Sequence, residues 1–177
     1  MSNTEDDRHS RLVQAIGDRT VGYLRDELAI PVRETTVRMR DVKRMQLLHL
    51  TSILSVEADI RMLIAFSLDR ELTDRVFIAS TEGLEIAEDE AEMMREETVA
   101  ELINIIVGNA MADLASTGTI IPISPPIIIS EAKNITRTKG ATFYSLDIIT
   151  ESGMLSIHFI GPKELFDLNL NYVEKLS

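Results

Sequence analysis

Between Val99 and Leu114 eight large side chains are apolar: Val99, Leu102, Ile103, Ile105, Ile106, Val107, Met111 and Leu114. Wound at about 100° per residue, these positions occupy most of a helix's circumference. Such a helix cannot rest on a surface with half its girth in water. It has to be enclosed, and the remainder of the chain must supply the layers that enclose it. What interrupts the apolar girth is a narrow stripe of Glu97, Glu101, Asn104 and Gly108, at i, i+4, i+7 and i+11.

The flanking sequence reads as those layers. Leu12, Val13, Ile16, Val21, Leu24 and Leu28 recur at three- to four-residue spacing and predict a first helix, capped by Ser10 and stopped by Pro31. Residues 1–9 are polar and are expected to form a flexible tail, leaving 10–177 as one domain. Thr35–Arg40 alternates. Leu47–Val56 and Ile60–Phe66 read as a hairpin turning near Glu57–Asp59, with His49 inside its first strand. Asp69 caps a short helix, Arg70–Ala79, with Leu72, Val76 and Phe77 facing inward. A long helix runs over Asp89–Ala115, and the acids near its start suit the positive end of its dipole. Past Pro125 and Pro126, Ile127–Ile129 begins a strand. Thr142–Thr150 and Met154–Ile160 form a second hairpin around Glu151, Ser152 and Gly153. Leu165, Leu168, Leu170 and Val173 complete the sheet or cover its edge. Strands cluster in sequence and so do helices, which predicts an α+β fold: a mostly antiparallel β-sheet packed against long helices.

Composition mainly excludes. Over 177 residues, 18 Lys and Arg stand against 29 Asp and Glu, a net charge of −11, which disfavours nucleic acid and anionic membranes as partners. The absence of cysteine removes disulfides, thiolate metal sites and a thiol nucleophile. No apolar stretch reads as a membrane span and the first residues do not form a signal peptide, so a cytoplasmic protein is expected. His9, His49 and His158 show no metal-ligand spacing and read as structural or tail residues. The acidic run from Glu82 to Glu97 lacks the order of a calcium loop and reads as solvated surface.

The stripe is therefore where chemistry is to be sought. A solvent edge ordinarily carries exchangeable charged pairs, whereas this one holds two carboxylates, an amide and a glycine. Asn is a poor mid-helix residue, so its central place asks for a reason. Gly108 would admit another backbone at close range, and packing against the first helix explains it equally well.

This segment resembles the CheC/CheX family of bacterial chemotaxis phosphatases. Glu101 and Asn104 match the family's Glu-x-x-Asn, Gly108-Asn109-Ala110 resembles its helix continuation, and Pro125 and Pro126 stand at the spacing of the family proline. Val13–Ile16 through Pro31 resembles its first helix, Ile123–Ser130 its strand entry, and Phe166–Leu170 the end of CheX chains. A single helical Glu-x-x-Asn makes CheX the nearer member. A second copy, Glu131 to Asn134, falls at a strand end and loop and is taken as chance. At position 97 this chain has Glu where the family usually has Asp or Ser.

The resemblance implies a fold and an activity: removal of phosphate from the aspartyl phosphate of a CheY-like response regulator. It implies that Asn104 orients the attacking water and Glu101 pairs with the regulator's lysine, with Glu97 and Gly108 contributing to partner contact. It implies no cofactor of the chain's own, Mg²⁺ being carried by the regulator, and a homodimer formed through the sheets. Two other functions stand beside it: a non-catalytic scaffold of the same fold, for which Glu97 leaves room, and a metal-dependent hydrolase built on the acidic run.

Overall fold

The computed structural model describes residues 3–40, 44–57, 61–115, 118, 120–130, 134–136 and 139–162. Helix α1 spans Asn3–Gly22 and continues into one π-helical turn, Tyr23–Glu27. Strand β1 is Val32–Arg40, β2 Arg44–Gln46, β3 Leu50–Glu57 and β4 Arg61–Leu68. Helices α2 (Arg70–Ser80) and α3 (Ala91–Ala115) follow, then β5 (Ile127–Ile129), β6 (Asn134–Thr136), β7 (Ala141–Thr150) and β8 (Gly153–Pro162).

Six strands form one sheet in the order β1-β7-β8-β4-β3-β5, every neighbouring pair antiparallel. Both expected hairpins are present: Glu57 pairs with Arg61 in β3–β4, and Thr150 with Gly153 in β7–β8. The α+β expectation therefore holds, with the helices on one face of the sheet. There Leu12, Ile16 and Leu24 meet Leu50, Ile64, Phe66, Leu146, Ile157 and the buried side of α3 in a single core. Helix α3 packs against α1 and α2 and also contacts β3. Seven of its side chains, from Val99 to Leu114, are buried. At about 1.5–3 kcal/mol for each fully buried large aliphatic group, this packing, and not helix propensity, holds α3 in place.

Several expectations are corrected. Helical backbone begins at Asn3, ahead of the helix start expected at Ser10. His49 lies in a bend ahead of β3, not within a strand. Phe77 is only half-buried, because the Arg95 guanidinium lies 4.9 Å from its ring centroid and covers it. Among the described helices, α3 passes a length and composition test for a membrane span, as core helices also do. In this fold seven of its apolar side chains are buried among α1, α2 and the sheet. The two-stranded ribbon β2–β6 was not foreseen. Leu165–Val173 and Glu131 lie outside the described residues.

The ribbon accounts for polar residues on the sheet's other face. Met45 and Ile135 cover Ala65, Phe143 and Ile160 there, in a second small core. Beside them the buried Asp147 accepts a hydrogen bond from Ser156 (2.7 Å) and pairs with Arg38. The Ser145 hydroxyl lies 2.8 Å from His158 Nδ1. His158 is thus a buried, hydrogen-bonded strand residue, in line with a structural role.

Asp69 joins the layers. One carboxylate oxygen accepts from the Leu72 N–H that opens α2, and the other from the Met154 N–H at the start of β8, each at 2.8 Å. Gly153 has φ +129°, and a Cβ there would overlap the Asp69 carboxylate, so this turn needs glycine on two counts. Asp69→Ala removes the cap and strands the Met154 donor. The expected loss is about 2 kcal/mol in urea-melt stability.

Candidate functional site

Seven buried side chains fix one face of α3 in the core and leave another in solvent. Glu97, Glu101, Asn104 and Gly108 are all exposed, while Val99, Leu102, Ile103, Ile106 and Val107 are buried. The four exposed positions fall within an arc of about 60° and along about 16 Å of axis. All four residues singled out in the sequence thus share one face.

Asn104 lies one turn from Glu101, so both side chains project the same way from a helix whose back is fixed. Among the described residues Asn104 has no side-chain hydrogen bond, and Glu97 and Glu101 have no ion-pair partner. Their donors and acceptors are turned to solvent, where a docked surface could use them. By contrast Asp113, farther along α3, is held by Arg19 of α1 through two hydrogen bonds of 2.6 Å.

The two explanations for Gly108 can now be separated. It is exposed, and a Cβ built on it meets nothing within 4 Å, so packing against α1 does not require it. Gly108→Ala is expected to raise stability by about 0.5–1 kcal/mol, read from the shift in denaturation midpoint.

Towards the start of α3 the stripe opens into a groove of about 500 Å³ between the π-helical turn, the end of α2 and α3. Leu28, Met94 and Leu102 line it, with Glu27, Glu97 and Glu101. Tyr23 also lines it, and its phenol is pushed above its ordinary pKa, first by burial and then by the nearby charges of Glu27 and Glu101. Tyr23 and Glu27 were not anticipated from sequence. Both belong to the first helix, and only the fold brings them beside Glu101. Among the described residues, no three His, Asp or Glu side chains converge as a metal-ligand set, the acidic run included.

The family model for the chemotaxis phosphatase CheX matches residues 50–148, more than half of the chain and all of α3. The chain belongs to the CheX family. No curated protein matches it at a significant level. Among solved structures, a chemotaxis protein CheX from Desulfovibrio desulfuricans superposes with a TM-score of 0.70 at 14% identity, covering 84% of this chain and 97% of that one. CheX from Vibrio vulnificus gives 0.62 at 14%, over 84% and 94% of the two chains. A chain from the CheX–CheY–BeF₃–Mg²⁺ complex of Borrelia burgdorferi gives 0.63 at 20%, over 84% and 97%. At such identities these structures speak for the shared fold, and residue roles have to be argued from the site.

Proposed function

We propose that this protein dephosphorylates the aspartyl phosphate of a CheY-like response regulator in the cytoplasm. The observation that carries the reading is the exposed Glu101–Asn104 pair, without side-chain partners among the described residues, on a helix of a CheX-family chain that seven buried side chains anchor in the core. An amide can donate and accept at once, so Asn104 can hold a water in line with phosphorus. The water oxygen bonds to phosphorus as the bond to the aspartyl oxygen breaks. That carboxylate leaves with the electron pair, and the water's proton passes to the released phosphate. No covalent bond to this chain forms. Glu101 pairs with a lysine of the regulator and so fixes the dock.

The Mg²⁺ belongs to the regulator in this scheme, and this chain contributes position. A water held in place gains most of its advantage from lost freedom, and only a rigid mount keeps that gain. Glu97 and Gly108 take part in docking: the first by charge, the second by leaving room for a partner backbone. The reading carries a homodimer with it, for which the nine-residue edge strand β1 offers backbone groups.

The test is phosphate release from a CheY-like regulator phosphorylated with acetyl phosphate, with this protein substoichiometric. Repeated turnover above the regulator's own rate supports the reading. Binding without acceleration assigns the chain to the scaffold alternative.

A further inference from the structure

We propose that the groove beside Glu101 takes a second segment of the same regulator, bearing a lysine or arginine whose aliphatic stem lies on Leu28, Met94 and Leu102. This rests on the regulator-phosphatase reading and extends it from the Glu101–Asn104 pair to a specificity site built from the first helix.

Continuity is the first argument. Glu101 lines the groove and also belongs to the stripe, so a partner placed over Asn104 lies across the groove's mouth. Complementarity is the second. Leu28, Leu84, Met94 and Leu102 give the groove apolar surface beside Ser80, Thr81 and Thr98, and Glu27, Glu97 and Glu101 give it negative charge, with no lysine or arginine among the lining residues. None of these three carboxylates has an ion-pair partner among the described residues. A long cationic side chain fits both parts, its methylenes on the apolar surface and its charge beside the carboxylates. An acidic or wholly apolar segment would fit only one.

The local backbone is the third. Tyr23 and Glu27 sit on a π-helical turn, a winding found often at functional sites. The turn closes with the Ile30 N–H donating to the Leu24 carbonyl at 2.8 Å and with Ala29 at φ +51°. An alanine in the left-handed region is strained where glycine would be at ease. The first helix is thus held in an unfavourable ending that presents Tyr23 and Glu27 to the groove.

The experiment uses the full chain and a CheY-like regulator held in its active form with beryllofluoride and Mg²⁺. Glu27→Lys is expected to raise Kd about tenfold at low salt, with the difference shrinking as salt is added. Leu84→Asn, at a largely exposed position on the groove, raises it about threefold. Glu85→Lys makes the same charge change on the neighbouring loop and moves Kd less than twofold. The rate at saturating regulator stays near wild type in Glu85→Lys, which lies outside the groove. Wild-type affinity in Glu27→Lys, with turnover still lost in Asn104→Ala, overturns the groove proposal and leaves the phosphatase reading standing. Equal losses in Glu27→Lys and Glu85→Lys also overturn it, by assigning the effect to net charge. A wild-type chain that binds but shows no turnover overturns the phosphatase reading, while the ordering of the three affinities still decides the groove.

Discussion

Asn104→Ala is expected to lower the maximal rate of phosphate release by about a hundredfold or more, while affinity for the beryllofluoride-activated regulator is expected to change less than twofold. The size follows from the role proposed for the amide. Losing the placement of a reacting group by as little as about 1 Å costs on the order of 10²-fold, and alanine leaves the water with no group on this chain to hold it. The split between rate and affinity follows from exposure: Asn104 supplies one side chain within a larger contact. The same substitution should leave the fold slightly more stable, by a few tenths of a kcal/mol, because Asn is a poorer helix residue than Ala and here has no hydrogen bond among the described residues to lose. Loss of turnover together with a gain in stability marks a residue kept for chemistry. If Asn104→Ala turned over like wild type, the water-orienting role would be wrong, whatever the affinity.

Glu101 gives the complementary pattern. Glu101→Ala removes a charge that borders both the stripe and the groove, so it is expected to weaken docking and to misalign what remains docked. Its loss should therefore appear in affinity as well as in rate. Comparing the two variants separates a group that holds the water from one that holds the partner.

Where a pattern was long and local, the sequence disclosed it. Asp69 caps α2, Leu24 and Leu28 turn inward, and the two hairpins follow from alternation bounded by turn residues. The α3 stripe was legible for the same reason, since four positions on one helix face need no tertiary information. Other features depend on contacts between distant segments. Strands β2 and β6 have three residues each, too few to show alternation, and each finds its partner far along the chain. The start of α1 was missed because its first turns are polar and carry no apolar periodicity. The groove escaped because Glu27, Leu84 and Glu101 come from three separate elements. Gly108 was ambiguous in sequence, since close packing and an open face both ask for a missing side chain.

The mount itself can be tested from its buried side. Ile106 has no exposure and lies in the core shared by α1, α3 and the sheet. Ile106→Ala is expected to cost about 2–5 kcal/mol of unfolding free energy, the range for truncating a well-packed aliphatic core residue, and Ile106→Val about 0.5–1.5. Both values are to be read from urea melts, and a loss under about 1 kcal/mol for alanine would contradict the packing described for α3. The consequence for turnover separates stability from geometry. Valine keeps most of the contacts, so under conditions where the protein stays folded its maximal rate remains within about twofold of wild type. Alanine leaves a cavity beneath the helix turn that carries Asn104, and surrounding groups relax into it only in part. A shift of α3 by a fraction of an ångström is small for a docking surface but large for a water that must lie in line with phosphorus. Ile106→Ala should therefore lose rate more than affinity even when fully folded, though no atom of Ile106 would touch the regulator. Equal rates for the folded alanine and valine variants would mean that Asn104 tolerates movement, and the case for α3 as a rigid mount would fail.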